Sequence, residues 1–426
     1  MGTFFAVFAL LVATGVPIAL VLGVAGTLYL FLSGNGAMAI MLPQRMMAGV
    51  DQFVLLTIPL FLLAGNLMNV GGITDRIVQF ARAMVGHRRG GMSSVTVLSA
   101  GFFAGISGSA TAEASALGSI LIPAMNRQGM PSAYAAALVG ISSIMGPIIP
   151  PSITMIIYGV LAGASIGQLF LAGVVPGMAI AGGLLAYASW RAHREGYPTT
   201  PRVAWSECIV ATKRTLPALI LPLIILVGIK GGIFTPTEAA AVAVAYALFI
   251  GLVYRDLTPT SIWNAMIATA LVSASILFIT SMASIVSFVL TLERAPQKIA
   301  SMVLALTDNK YLILLILNLF LLLLGMFLEP ISILILTMPI LLKLAAIIQM
   351  DPVQFGTMAV LNVVIGMATP PVGILLFIVA SISGQPLSAV IREAAPMIGI
   401  CIIILMLVAL VPAFSLFLPS ALMAVN

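Results

Sequence analysis

Long apolar stretches separated by short polar turns run the whole length of the chain. They fall at residues 3–32, 53–70, 133–162, 168–190, 216–229, 236–254, 262–292, 311–328, 353–382 and 396–418. A helix needs about 20 apolar residues to cross a ~30 Å hydrocarbon core, so the pattern predicts one spanning helix after another. Short alternating segments, the mark of a membrane β-barrel, do not occur, and lipid admits only helices or closed barrels. The expected fold is an all-α polytopic membrane protein.

Several stretches are interrupted in a way that one straight helix does not explain. Residues 105–115 read GISGSATAEAS, between apolar arms of about a dozen residues each. Arms that short cannot cross, so they predict a re-entrant hairpin over about 92–126 with Ser107, Gly108 and Ser109 at its tip. GMFLEPIS at 325–332 predicts a second hairpin, over about 311–349. Double prolines, GPIIPPS at 146–152 and GMATPPV at 366–372, split the apolar stretches that follow each hairpin. They predict broken transmembrane helices over about 131–165 and 352–383. Each proline lacks an N–H and displaces the carbonyl four residues back, which leaves carbonyls without helix partners.

These features recur at one offset. A shift of 220 residues lays Gly105 on Gly325, Gly146 on Gly366, Pro150 on Pro370, Pro151 on Pro371 and Pro176 on Pro396. The expectation is two inverted-topology repeats, 1–190 and 216–426, the usual build of secondary transporters. Between them, 191–215 carries Arg191, His193, Arg194, Arg202, Lys213 and Arg214, with Trp190, Pro198 and Trp205 among these charges. It reads as a cytoplasmic, interfacial connector. No Lys or Arg precedes the first apolar stretch, so a cleavable leader is not expected.

Composition narrows the function classes. Of the 426 residues 62% are hydrophobic and 7% charged, with mean hydropathy +1.22, against about 25% charged in a soluble domain. The net charge of +6 comes from basic turns and not from an exposed polar face, which excludes nucleic acid as a partner. Cys208 and Cys401 are too few for a metal cluster. There is no HExxH, and His87 and His193 both lie in basic loops, so an intramembrane enzyme is not expected. A nucleotide loop is also missing, so ATP is not the direct energy source.

The breaks are where chemistry can occur. Freed carbonyls are ligands for a hard cation such as Na⁺, and half-helix N-termini favour a carboxylate. The first half offers Ser107, Ser109, Gly146, Ile149 and Pro150 as one cation cage. The second offers Gly325, Phe327, Glu329, Gly366, Thr369 and Val372. Three acids lie within apolar stretches: Glu113, Glu238 and Glu329. Glu238 follows Thr235-Pro236-Thr237 and reads as part of a helix cap, and Glu113 as a brace for the first tip. With no basic residue deep in a span, a small carboxylate substrate falls to Ser109, Thr111, Ser152, Thr154, Glu329 and Asn362.

FTPTEAAAVAVAYAL (234–248), SGSATAEASALGS (107–119), GPIIPPSITMIIYG (146–159), LFLAGVVPG (169–177) and GMATPPVGILLF (366–377) carry a family resemblance. Together, in this order, they resemble the large membrane subunit of the tripartite ATP-independent periplasmic (TRAP) transporters. The resemblance implies an elevator-type, Na⁺-coupled symporter with two Na⁺ sites at the hairpin tips, in a bacterial cell inner membrane. It also implies two partners besides the bilayer: a small four-helix membrane subunit and a soluble periplasmic substrate-binding protein. Glu329 stands where the family pattern suggests Asp, and 339–343 read PILLK where a PILLP-like run is usual. The rival reading is an autonomous Na⁺/dicarboxylate or anion permease of the same superfamily, which needs neither partner.

Overall fold

The computed structural model describes residues 2–423, and all regular structure among them is helical. Seven helices are long and apolar enough to cross a membrane by length and composition: residues 53–70, Ile166–Arg194, Trp205–Lys230, Pro236–Val253, Pro259–Leu292, Pro330–Ile347 and Leu387–Leu410. The apolar stretch 3–32 is two helices, Gly2–Ala13 and Ile18–Leu32, and not one. Gly15 at φ +76° and Pro17 just before the second helix turn the chain there.

Helix ends follow local chemistry closely. Thr235 and Glu238 form a reciprocal capping box, the carboxylate accepting from the Thr235 N–H at 2.8 Å, as the sequence predicts. The first hairpin is Gly91–Ser107 and Ala110–Arg127, reversed by only Gly108 and Ser109. Gly108 takes φ +62°, which favours glycine, and Ser109 caps the return arm by accepting from Ala112 N–H. The second hairpin is Lys310–Gly325 and Pro330–Ile347, whose return arm starts with Pro330 in the first helical position. The chain breaks between Met145 and Ile153 and again between Gly366 and Ile374. Both double prolines lie in these breaks, and both Pro–Pro bonds are cis.

The halves interlock through these short pieces. The return arm of the first hairpin packs on Ile374–Ser383, and that of the second on Ile153–Ala162. The Tyr158 hydroxyl donates to the Pro352 carbonyl at 2.7 Å, binding one broken helix to the other. Around this unit run longer helices. Thr57–Val70 packs on Pro236–Val253 and Pro259–Leu292, with hydroxyl contact Thr57–Thr237 at 2.9 Å and Asn66 donating to Thr269 at 2.9 Å.

The polar connector is shorter than its composition suggests. The flanking helices absorb most of 191–215, leaving 195–204 irregular. This strap is tied to the foot of the first hairpin: Gly90 N–H donates to the Pro198 carbonyl at 3.1 Å, and the Thr200 hydroxyl to that of Gly86 at 2.6 Å. Arg191 pairs with Glu393 across two long helices and lies 4.1 Å over the Tyr134 ring. Aromatic shielding and the ion pair together allow that guanidinium to be largely covered.

Candidate functional site

Two neighbouring cavities of about 320 and 340 Å³ lie between the hairpin tips and the longer helices. Leu62, Ser109, Thr111 and Val272 border both. Each is just large enough for a small organic molecule.

Three helix starts border the first cavity. Ala110 and Thr111 open the return arm of the first hairpin, Ile153 and Thr154 open the second half of the first broken helix, and Pro330 and Ile331 open the return arm of the second hairpin. A helix start carries about half a positive elementary charge and unsatisfied N–H groups. Among the described residues, no Lys, Arg or His borders either cavity. Positive potential here therefore comes from backbone, and the acidic residue Glu329 borders the same space.

Of the predicted substrate contacts, Ser109, Thr111, Thr154 and Glu329 border the first cavity, and Ser107 joins Ser109 and Thr111 at the second. Ser152 and Asn362 border neither. Ser152 is buried, accepting from Met155 N–H and donating to the Pro147 carbonyl, so both its capacities serve the helix break. Asn362 is buried too; its amide donates to Asn318 at the backbone carbonyl (2.9 Å) and the side-chain oxygen (2.8 Å). Ser152 is held by its own local backbone, and Asn362 by a neighbouring helix.

The first predicted cage converges. Gly146 lies so close to the tip that a methyl group on it would sit 3.3 Å from the Ser109 carbonyl oxygen and 2.7 Å from Glu113 Oε2. Gly108 meets the Pro151 carbonyl, 2.8 Å from where a Cβ would be, and the Ser107 hydroxyl donates to the Ser109 carbonyl at 3.3 Å. Ile149 turns its side chain towards Gly177, and Pro150 offers its carbonyl towards Gly105. Glu113 is fully buried, with neither carboxylate oxygen hydrogen-bonded. A dry, unpaired carboxylate beside carbonyls is what a bound cation would complete, so these residues fit Na⁺.

The second set also converges, by a different contact. Gly325 and Gly366 meet backbone to backbone; a methyl on Gly366 would lie 2.5 Å from Gly325 Cα. Gly373 N–H donates to the Met326 carbonyl at 3.4 Å, tying tip to break. The Thr369 hydroxyl donates to the Ile365 carbonyl at 2.7 Å, leaving its oxygen lone pairs available. Val372 is half-buried and the Phe327 side chain is exposed, so Phe327 could contribute only its backbone.

Sequence reasoning missed the opposite wall: Leu62, Asn66 and Asn69 on Thr57–Val70, with Leu271, Val272 and Ser275 on Pro259–Leu292. Asn66 and Asn69 are three residues apart in an apolar helix, so both point to one face. That spacing was the available signal.

Residues 5–414 match the family model described as the DctM component of the tripartite ATP-independent periplasmic transporter. The chain belongs to this family. It is similar to the sialic acid TRAP transporter large permease protein SiaM of Vibrio cholerae, 39% identical over 378 residues and covering 88% of each chain. It is likewise similar to the C4-dicarboxylate TRAP transporter large permease protein DctM of Pseudomonas aeruginosa, 39% identical over 400 residues, covering 94% of this chain and 93% of that one. Among solved structures, the Alcanivorax borkumensis YdaH transporter shares the fold with TM-score 0.63 at 14% identity, covering 89% of each chain. This DctM-family chain is thus a multi-pass inner-membrane transporter permease and not an enzyme. Large permeases of this kind work with a small membrane subunit and a periplasmic binding protein.

Proposed function

We propose that the chain is the elevator-type, Na⁺-coupled permease for a small carboxylate delivered by a periplasmic binding protein, with the first cavity as the substrate site. One observation carries this reading: three helix starts converge on a cavity of about 320 Å³ that no basic side chain borders. Each helix start favours an anion by about 0.3–1 kcal/mol where exposed and about 2 kcal/mol where partly buried. Such a site suits a carboxylate that must be held and then released. The substrates for which the two relatives are named, sialic acid and C4-dicarboxylates, are both carboxylates.

Glu329 makes a co-transported cation useful. An anionic substrate entering beside that carboxylate is repelled unless positive charge lies between them. Na⁺ at the second tip, held by backbone carbonyls of 325–327 and the break near Thr369, would supply it. Na⁺ at the first tip would complete Ser107, Ser109, Gly146, Ile149 and Pro150. The element order of the two halves, each with a hairpin and then a broken helix, supports inverted repeats. The interlocked hairpins and broken helices would move as one body, and Thr57–Val70 and Pro259–Leu292 would be the fixed wall.

Reconstituted with its small subunit and binding protein, the chain should take up substrate faster under an inward Na⁺ gradient than under a proton gradient alone. Equal uptake in Na⁺-free buffer would end the coupling claim. Robust uptake of free substrate by the lone chain would instead favour an autonomous carrier.

A further inference from the structure

Glu113 lies on the return arm of the first hairpin, one helical turn past Ser109, whose carbonyl accepts from the Glu113 N–H at 3.1 Å. Its side chain has no exposed surface, and neither Oε1 nor Oε2 has a hydrogen-bond partner. The ion pairs among the described residues are Arg76–Asp256, Arg191–Glu393 and Lys298–Glu293, none of which reaches it. An isolated carboxylate in such a place is among the most costly arrangements a fold can contain.

The carboxylate is packed against the backbone of the first break. Beside Gly146, the point a Cβ would occupy is 2.7 Å from Glu113 Oε2 and 3.3 Å from the Ser109 carbonyl oxygen. Both oxygens press on one face of Gly146, and hard cations take oxygen ligands at about 2.3–2.6 Å, so one ion beside that face would reach both after a local shift. Any side chain at position 146 would clash with the Glu113 carboxylate and crowd the Ser109 carbonyl.

We propose that Glu113 is a ligand of the cation at the first hairpin tip and supplies its counter-charge from within the protein, so that this ion binds without charge from the substrate. The inference rests on the first-tip site given under Proposed function and adds to it an anionic ligand where only neutral oxygens were expected. It also separates the roles of the two acids. Glu113 faces the ion from the dry side, and Glu329 borders the substrate cavity. The first ion can therefore bind to the empty carrier and stiffen the tip before substrate arrives.

The test is Na⁺-dependent thermal stabilisation of the full chain purified with its small subunit, without substrate, in NaCl against KCl at equal ionic strength. Wild type should gain stability in Na⁺. Glu113→Gln keeps the shape, removes the charge, and should raise the half-saturating Na⁺ concentration about tenfold or more, equivalent to about 1.4 kcal/mol. Gly146→Ala pushes a methyl against both oxygens and should abolish the same increment. Glu113→Asp, which keeps a carboxylate, should retain a weakened response and serves if the Gln variant does not fold. A wild type with no preference for Na⁺ over K⁺ would defeat the coupling-ion reading itself. A wild type stabilised by Na⁺ with an unchanged Glu113→Gln titration would defeat this inference alone. Equal destabilisation of Glu113→Gln in both salts, with the Na⁺ increment intact, would also overturn it and make Glu113 structural.

Discussion

Gly366→Ala is the sharpest probe of how the second tip is built. The added methyl would sit 2.5 Å from Gly325 Cα, 2.8 Å from the Gly325 carbonyl carbon and 3.1 Å from the Leu322 carbonyl oxygen. All three are backbone atoms, so no flexible side chain can swing aside. The hairpin arm Lys310–Gly325 must move away from the broken helix Pro352–Gly366. Overpacking of this kind costs about 1–3 kcal/mol, about a 5- to 150-fold change in an equilibrium. The variant should melt lower than wild type and, on the proposed Na⁺ coupling, lose most uptake, because moving either backbone would open the proposed second cation site. Gly399→Ala is the matched control. Nothing lies within 4 Å of its added methyl, and it sits inside the helix Leu387–Leu410, where Ala is favoured over Gly by about 1 kcal/mol. It should be neutral or slightly stabilising. Melting measured by intrinsic fluorescence, beside uptake in proteoliposomes, separates the two cases. Wild-type melting and uptake in Gly366→Ala would show that tip and break do not pack as described.

Ser109→Ala removes both the cap of the return arm and a hydroxyl 3.2 Å from Thr111. It should weaken Na⁺ binding by about 1–3 kcal/mol while the protein still inserts, and unchanged Na⁺ dependence would move the first site elsewhere. Glu329→Gln should raise the Na⁺ concentration for half-maximal uptake with expression intact, and Glu329→Asp should be milder; a silent Gln would leave Glu329 structural. Arg191→Met strands the half-buried Glu393 and should destabilise by about 1–2 kcal/mol after solvent screening, and the double variant with Glu393→Gln should recover part of that. A double variant no more stable than the single one would mean that packing over Tyr134, not charge, carries the interaction.

The breaks were legible in the sequence because Gly, Ser and Pro act on their own backbone. GISGSA and the two double prolines mark points where helix hydrogen bonding stops, whatever lies around them. The cap at Thr235 was legible for the same reason. The connector was not, because polar composition alone does not distinguish an arm on the membrane surface from helix ends that project beyond it. Trp205 begins the helix Trp205–Lys230 and is still exposed.

Which way a polar residue faces depends on its helix as a whole, and here the information was present but needed a partner to decode it. Asn362 is one turn before Gly366, and Asn318 is two turns before Gly325. Residues one or two turns apart share a face. Once Gly325 and Gly366 touch, the two asparagines must fall on the same seam, and they do, hydrogen-bonded to each other away from the cavity. The same rule puts Glu113, one turn past Ser109, on the side of the tip that meets Gly146. Both glycines of the seam and both residues of the tip had been identified from the sequence. What was missing was the contact between elements, since the close approach of two backbones decides which face of each helix is buried and which side chain is left facing the break.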